Sequence, residues 1–331
     1  MMPNEQNTAK TALLLVNLGS PDAPDAGAVR RYLVEFLSDP RVVDLPRWVW
    51  LPLLKLVIGP LRGRRSARAY RKIWTEQGSP LVVLTLRLAE KVQRSLRLAG
   101  SDVLVEVAMR YGQPDVAGAL ARLQDTGIGR LIVLPLYPQF SATTTESSFD
   151  AVRAYYEGNN KPPAIRFVKQ YFDVPAWSLA IADSINAWWC EHGRADVLLF
   201  SFHGLPERYI AAGDPYRDQC EQSVQNIVKE LKLDDSDYLM TYQSRVGAEK
   251  WLEPYTDKEL IKLAESGTRR VQVVCPGFSI DCLETLEEIA MQNRDFFLAA
   301  GGETLEYIPA LNDSDTQVDL VLEILREETA D

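Results

Sequence analysis

The chain has 331 residues, 46% of them hydrophobic and 25% charged, which is more than one hydrophobic core usually organises and predicts two domains. Its 36 basic against 46 acidic residues leave a formal charge of −10, which excludes wholesale binding to nucleic acid. Cys190, Cys220, Cys275 and Cys282 form no C-x-x-C pair and show no metal-ligand spacing, the pattern of reduced thiols in the cytoplasm.

The polar opening residues 1–10 run straight into the strand-like Thr11 to Val16, without the charged start and cleavage site of an export signal. Short apolar runs then alternate with amphipathic segments along the chain, as parallel strands alternate with crossover helices. The most apolar stretch, Trp48 to Leu61, is interrupted by Pro52, Lys55, Gly59 and Pro60 and is too short to span a bilayer. Two readings of it stand. It is an ordinary buried helix, or its tryptophans beside Arg62, Arg64 and Arg65 mark a surface that lies on a membrane or lines an apolar cleft.

Three strand ends recur in order. Leu13-Leu-Leu-Val-Asn-Leu-Gly-Ser-Pro21 resembles Leu198-Leu-Phe-Ser-Phe-His-Gly-Leu-Pro206, and Met109-Arg-Tyr-Gly112 resembles Ser244-Arg-Val-Gly247. Arg130 to Pro135, followed by Phe140-Ser141, resembles Arg270 to Pro276, followed by Phe278-Ser279. The repeat predicts an α/β protein of two similar Rossmann-like, doubly wound, parallel-sheet domains facing an interdomain cleft. The expected divisions are residues 8–174, with an apolar insertion over about 37–84, then 175–312, joined near Phe172 to Pro175. The tail 313–331, amphipathic from Asp315 to Glu328, is expected to pack back on the body as a helix. Ligands of open parallel sheets bind at the carboxyl ends of the strands, so the repeated loops point at the cleft.

There are two histidines. His192, in Cys190-Glu-His-Gly193, reads as a helix-end surface residue, whereas His203 follows the apolar run Val197 to Phe202 and opens a Gly-Leu-Pro loop. On that loop it either donates to a backbone carbonyl or presents a ring nitrogen to a ligand. Glu284, Glu287 and Glu288 follow the strand Val271 to Phe278, and α-helical spacing places the three carboxylates on one face, suited to a divalent cation in transit. Against this, Asp281 three residues before Glu284 fits a capping box in which Glu284 satisfies a backbone N–H. No G-x-G-x-x-G, G-x-x-x-x-G-K-[ST] or G-x-S-x-G motif is present, and no third ligand stands at zinc-site spacing. The strand ends collect Arg110, Tyr111, Tyr137, Phe140, Tyr242, Arg245, Trp251 and Phe278, which suits a flat apolar ligand with carboxylates at its edge.

At this point the residues resemble a known family. Val16-Asn-Leu-Gly-Ser-Pro21, Met109 to Gly112, Leu136-Tyr-Pro-Gln-Phe-Ser141, Phe202-His-Gly-Leu-Pro206, Gly213 to Tyr216, Tyr242-Gln-Ser-Arg-Val-Gly247, Trp251 to Pro254 and Pro276 to Leu286 together are similar to the ferrochelatases, from about Thr11 to Asn312. The resemblance implies insertion of Fe²⁺, as a substrate, into protoporphyrin IX, the last step of haem synthesis, with no organic cofactor. It casts His203 and Glu284 as the catalytic pair and Glu288 as a member of an acidic path, the three together handling the metal. Asn17, Leu18, Arg110, Tyr111, Tyr137, Ser141, Ser244, Trp251 and Phe278 are the expected porphyrin-binding residues, with Arg64, Arg65 and Asp281 as further candidates. The Trp48 to Leu61 segment resembles the lip of the pocket mouth. Animal members carry a cysteine-rich C-terminal extension; this chain stops at Asp331 and has Ala142 where they place another cysteine, so no iron–sulfur cluster is expected. Cys282 stands where some members have a second histidine.

Two assignments remain open at this level: His203 as base with Glu284 as metal ligand, or the reverse. The rival functions are a chelatase for a coproporphyrin or sirohydrochlorin-type ring, and a non-catalytic tetrapyrrole carrier. The expected location is cytoplasmic, peripheral to the inner membrane through the lip.

Overall fold

The computed structural model describes residues 10–158, 162–247 and 249–330, so the expected boundary at residue 8 and the final residue of the tail lie outside the described residues. Among the described residues eight strands form two four-stranded sheets: β1 (Thr11–Ser20), β2 (Leu104–Gly112), β3 (Arg130–Pro135) and β4 (Ala164–Phe167), then β5 (Val197–His203), β6 (Tyr238–Gln243), β7 (Arg270–Val274) and β8 (Thr304–Ile308). Their orders are β2-β1-β3-β4 and β6-β5-β7-β8, every pairing is parallel, and the two halves share one topology. The expected α/β architecture is therefore the observed one.

The central strands are apolar without alternation because both of their faces are covered. Leu13 and Leu15 face one core with Leu198, Phe200 and Phe202, while Ala12, Leu14 and Val16 face another under the helices Val116–Asp125 and Ser147–Tyr156. Each such leucine contributes roughly 1.5–3 kcal/mol of burial. The first of these cores is shared by the two sheets and filled by the helices Pro80–Leu98, Pro175–His192, Tyr216–Leu231 and Asp315–Thr329. The tail helix begins at a Ser314 cap, whose side chain accepts from the Gln317 N–H, and buries Val318, Leu320, Val321, Ile324 and Leu325. It packs on helices of both halves rather than on one.

Register corrects one element of the repeat. Asn17 pairs with Met109 and Phe202 with Tyr242, and the Met109 and Tyr242 N–H groups donate to Pro114 and Pro254 carbonyls at 2.6 and 2.8 Å. Leu18 is thus the counterpart of His203, Arg110 of Gln243 and Tyr111 of Ser244. The matched sequences Met109–Gly112 and Ser244–Gly247 are displaced by two residues in space, because pairing geometry and not the shared Arg-x-Gly sets the alignment.

The insertion over 37–84 forms the helix Arg47–Leu53, a π-turn at Leu54–Ile58 and the helix Gly59–Ile73. It is not an ordinary buried helix. Trp48, Leu56 and Leu61 are 81%, 76% and 69% exposed, whereas Leu54 is buried.

Candidate active site

Strand β5 delivers His203 to the carboxyl edge of the second sheet, and the Gly204 N–H donates to the Gln243 carbonyl at 2.8 Å. The ring Nδ1 of His203 lies 2.7 Å from the Gly204 carbonyl oxygen. A carbonyl only accepts, so Nδ1 carries a proton and Nε2 is the ring nitrogen left for chemistry. The carbonyl contact that the sequence set against function therefore orients the ring for it. Trp251 stands 6.4 Å away, ring centre to ring centre. It can do so because residue 204 is glycine: a Cβ there would meet the Gln243 carbonyl at 2.9 Å and Trp251 Cε3 at 3.2 Å.

The segment Glu284–Asn293 is a π-helix, in which the Arg294 N–H reaches back five residues to the Ile289 carbonyl. Ahead of its start, the Asp281 carboxylate accepts from Thr285 Oγ1 at 2.8 Å, Tyr307 OH at 2.6 Å and Asn312 Nδ2 at 2.7 Å. Thr285 Oγ1 in turn accepts from the Cys282 N–H at 3.0 Å. The Asp281 N–H donates to Asn312 Oδ1 at 2.8 Å and the helix start has no side-chain cap, so the capping-box reading of Glu284 is overturned. The Glu284 carboxylate lies instead against the Cys282 thiol, which burial first and that negative charge second push well above its usual range. Asp281, a further candidate for the site, is buried and bonded to Thr285, Tyr307 and Asn312.

Wider π-turns also correct the expected face. Each residue advances through a smaller angle than in an α-helix, so Glu284 and Glu288 stay nearly in line while Glu287 swings away. Glu287 is buried and pairs with Lys72 Nζ at 2.7 Å. Glu288 turns to Ser244, accepting from its N–H at 2.8 Å and from its hydroxyl. Ser244 adopts φ +66°, left-handed backbone that costs a non-glycine residue roughly 1–2 kcal/mol, and spends both donors on this one carboxylate. Burial pushes the Glu288 carboxyl above the usual range; the Ser244 hydroxyl and the His203 charge pull it down, and the Glu284 charge pushes it up. His203, Glu284 and Glu288 thus share one electrostatic neighbourhood.

Gln243, missed by the sequence reading, holds these parts together. It is the strand neighbour of His203, its Nε2 donates to the Glu284 carbonyl at 2.8 Å, and its Oε1 accepts from Ser201 Oγ at 2.7 Å. The available signal was its place inside Tyr242-Gln-Ser-Arg-Val-Gly247, at the end of the strand beside His203.

Four expected porphyrin contacts are committed elsewhere. Arg110 donates to Asp39 at 2.5 Å and to the Ser147 carbonyl at 2.9 Å, and Tyr111, 1% exposed, donates to Asp39 at 2.8 Å. Burial opposes the Asp39 charge, yet the Ser147 and Tyr111 hydroxyls, the Arg41 N–H and the Arg110 charge hold its pKa below the usual range. Asn17 donates to Thr85 at 3.1 Å, and Ser141 donates to Asp214 across the domain boundary at 2.9 Å. Leu18, Tyr137, Ser244, Trp251 and Phe278 keep partial exposure, whereas Arg64 and Arg65 lie on the outer face of the Gly59–Ile73 helix. The Tyr137 hydroxyl is buried without a partner among the described residues.

Comparison with known proteins bears on this arrangement. A protein of Bacillus subtilis described as SirB with Fe³⁺ superposes with a TM-score of 0.56 at 12% identity, over 97% of this chain and 96% of that one, which speaks for the fold alone. The ferrochelatase of Alcanivorax borkumensis is 49% identical over 322 residues, covering 97% of this chain and 94% of the relative. That of Methylococcus capsulatus is 50% identical over 317 residues, covering 96% of each. The ferrochelatase family model matches residues 10–329. These matches run over both halves of the chain, and the chain belongs to the ferrochelatase family.

Proposed function

We propose that the protein inserts Fe²⁺ into protoporphyrin IX to form protohaem, with His203 as the base and Glu284 and Glu288 as the groups that receive the metal and carry protons outward. The observation that carries this reading is the His203 ring, oriented by its Nδ1 contact with the Gly204 carbonyl and set in the field of the Glu284 and Glu288 carboxylates. Insertion requires two pyrrole N–H bonds to break. Nε2 takes a proton to become an imidazolium, whose charge the neighbouring carboxylates stabilise, and the proton then passes along Glu284 and Glu288 to solvent. A planar ring hides its nitrogen lone pairs, so binding energy drawn from contacts with the partly exposed Leu18, Trp251 and Phe278 would favour the bent, metal-accepting geometry.

The lip supports a greasy macrocycle and a peripheral membrane contact. Trp48, Leu53, Leu56 and Leu61 are exposed beside Arg62, Arg64 and Arg65, the composition of an interfacial helix on anionic lipid. Among the described residues no helix is long and apolar enough to cross a membrane. All four cysteines are free, which suits the cytoplasm.

Initial rates on protoporphyrin IX, coproporphyrin III and sirohydrochlorin, followed by the loss of free-ring absorption and emission, test the reading. Protoporphyrin is expected to be preferred by about tenfold or more, since each added carboxylate would be placed against an apolar wall. A preference for either of the more acidic rings would overturn the substrate assignment.

A further inference from the structure

The π-helix that presents Glu284 and Glu288 is ten residues long, whereas π geometry ordinarily survives for a single turn. Something must over-determine it. At the site face, Gln243 Nε2 and Asn293 Nδ2 donate to the Glu284 and Glu288 carbonyls at 2.8 and 2.9 Å, filling the acceptors that a widened turn leaves poorly served. The Gly59–Ile73 helix of the insertion packs Tyr70 and Ile73 against Leu283, Leu286 and Met291. From the last turn of that helix Lys72 reaches Glu287, 215 residues away in sequence. The Glu287 side chain is 4% exposed and that of Lys72 51%, and the second Glu287 oxygen accepts from Gln292.

The direction of this pair matters more than its strength. If the segment relaxed to α geometry, Glu287 would turn onto the face of Glu284 and Glu288, and three carboxylates would crowd a site arranged for two. Lys72 holds the third one away, and burial makes that hold strict, because a buried carboxylate without its cation is strongly disfavoured.

We propose that Lys72 and Glu287 are a positioning pair for metal insertion: the ion pair locks the π register from the insertion helix, so that only Glu284 and Glu288 face the imidazole. This rests on the roles proposed above for those two carboxylates. It also links the exposed lip to the acid pair, since Lys72 and the lip residue Leu61 ride on one helix.

The test is a charge-reversal cycle in the full-length chain: Lys72→Glu, Glu287→Lys and the double variant. Each single change is expected to raise the KM for Zn²⁺ or Fe²⁺ and to lower kcat by about tenfold, with protoporphyrin affinity by tryptophan quenching within twofold. The double variant is expected to recover to within about threefold of the parent. Amide hydrogen exchange across 284–293 should accelerate in the singles and recover in the double, with β5 to β7 unchanged. Singles that keep parental kinetics and exchange, or a double no better than the worse single, would overturn the lock. Because exchange reports register without reference to catalysis, a lock that holds while Glu288→Gln turns over normally would indict the carboxylate roles instead. Lys72→Met, a change at a half-exposed surface position, supplies a milder variant if a reversed charge prevents folding.

Discussion

The two halves of the molecule share strand order and register, yet the residues proposed to carry the chemistry collect at only one. At the ends of the central strands Leu18 stands where the second half has His203, and at the neighbouring strand ends Arg110 and Tyr111 stand where it has Gln243 and Ser244. Arg110 and Gln243 do one job in common: each donates to a backbone carbonyl at the start of the helix beyond, Ser147 at 2.9 Å and Glu284 at 2.8 Å. The difference is charge. Arg110 brings a cation and is neutralised by Asp39, so its half becomes a closed, braced wall. Gln243 does the same bonding without a charge, which leaves the Glu284 and Glu288 carboxylates unclaimed by any strand-end cation. A duplicated scaffold thus becomes a wall or a reaction centre according to whether its polar supports cancel the local charge or spare it.

Removing the imidazole should have the largest effect. His203→Ala is expected to lower metal insertion by about 10³-fold, near 4 kcal/mol, with porphyrin affinity within a few fold. Adding Leu18→His should not restore it, because Asp39, the carboxylate bonded at the neighbouring strand end, is already paired with Arg110; restored turnover would break the comparison. The wall itself should fail next. Asp39→Asn strips Arg110 of its buried counter-ion and is expected to cost about 3 kcal/mol in urea unfolding. Because the folded pKa of Asp39 is depressed, its contribution is present above the unfolded value and is lost as pH falls through the folded one. Asp39→Asn should therefore flatten the acid side of the stability curve, and an unaltered acid slope would show the pair to be inert.

Importing the first half's charge into the second sharpens the same point. Gln243→Arg is expected to pair with Glu284 or Glu288 and reduce insertion by roughly 10²-fold, about 2.7 kcal/mol, while the fold persists. Activity at the parental level would mean that the uncharged amide is incidental. The smallest effect concerns pH. Burial raises the Glu288 carboxyl, so activity that needs it ionised should climb with pH through a value above the usual carboxylate range. Glu288→Gln should lower the rate by about tenfold and remove that limb from the profile. A limb that survives unchanged would belong to another group.

Much of the scaffold was legible because strand identity is written locally. Leu13 to Pro21 and Leu198 to Pro206 match residue for residue in space as in sequence, since an apolar run buried on both faces and stopped by glycine and proline leaves little freedom. The second repeated block misled by two residues. Arg110 and Arg245 share flanking letters, but Arg245 lies beyond the strand and pairs with Asp257 at 2.7 Å. The π-helix was illegible for a different reason: Glu284, Glu287 and Glu288 have ordinary helical spacing, and most of the contacts that accompany the wider turn come from Gln243, Ser244 and Lys72, all remote in sequence.

The amino-acid order by itself determined which segments become strands, that they come as two matched sets, and that a lone imidazole closes one of them, because backbone preference and hydrophobic pattern act over a few neighbouring residues. Tertiary structure alone decided which polar groups are spent and which are spared. Whether a carboxylate meets an arginine, a lysine or an uncharged amide depends on residues tens to hundreds of positions away, and burial makes that choice decisive by removing the water that would otherwise screen it.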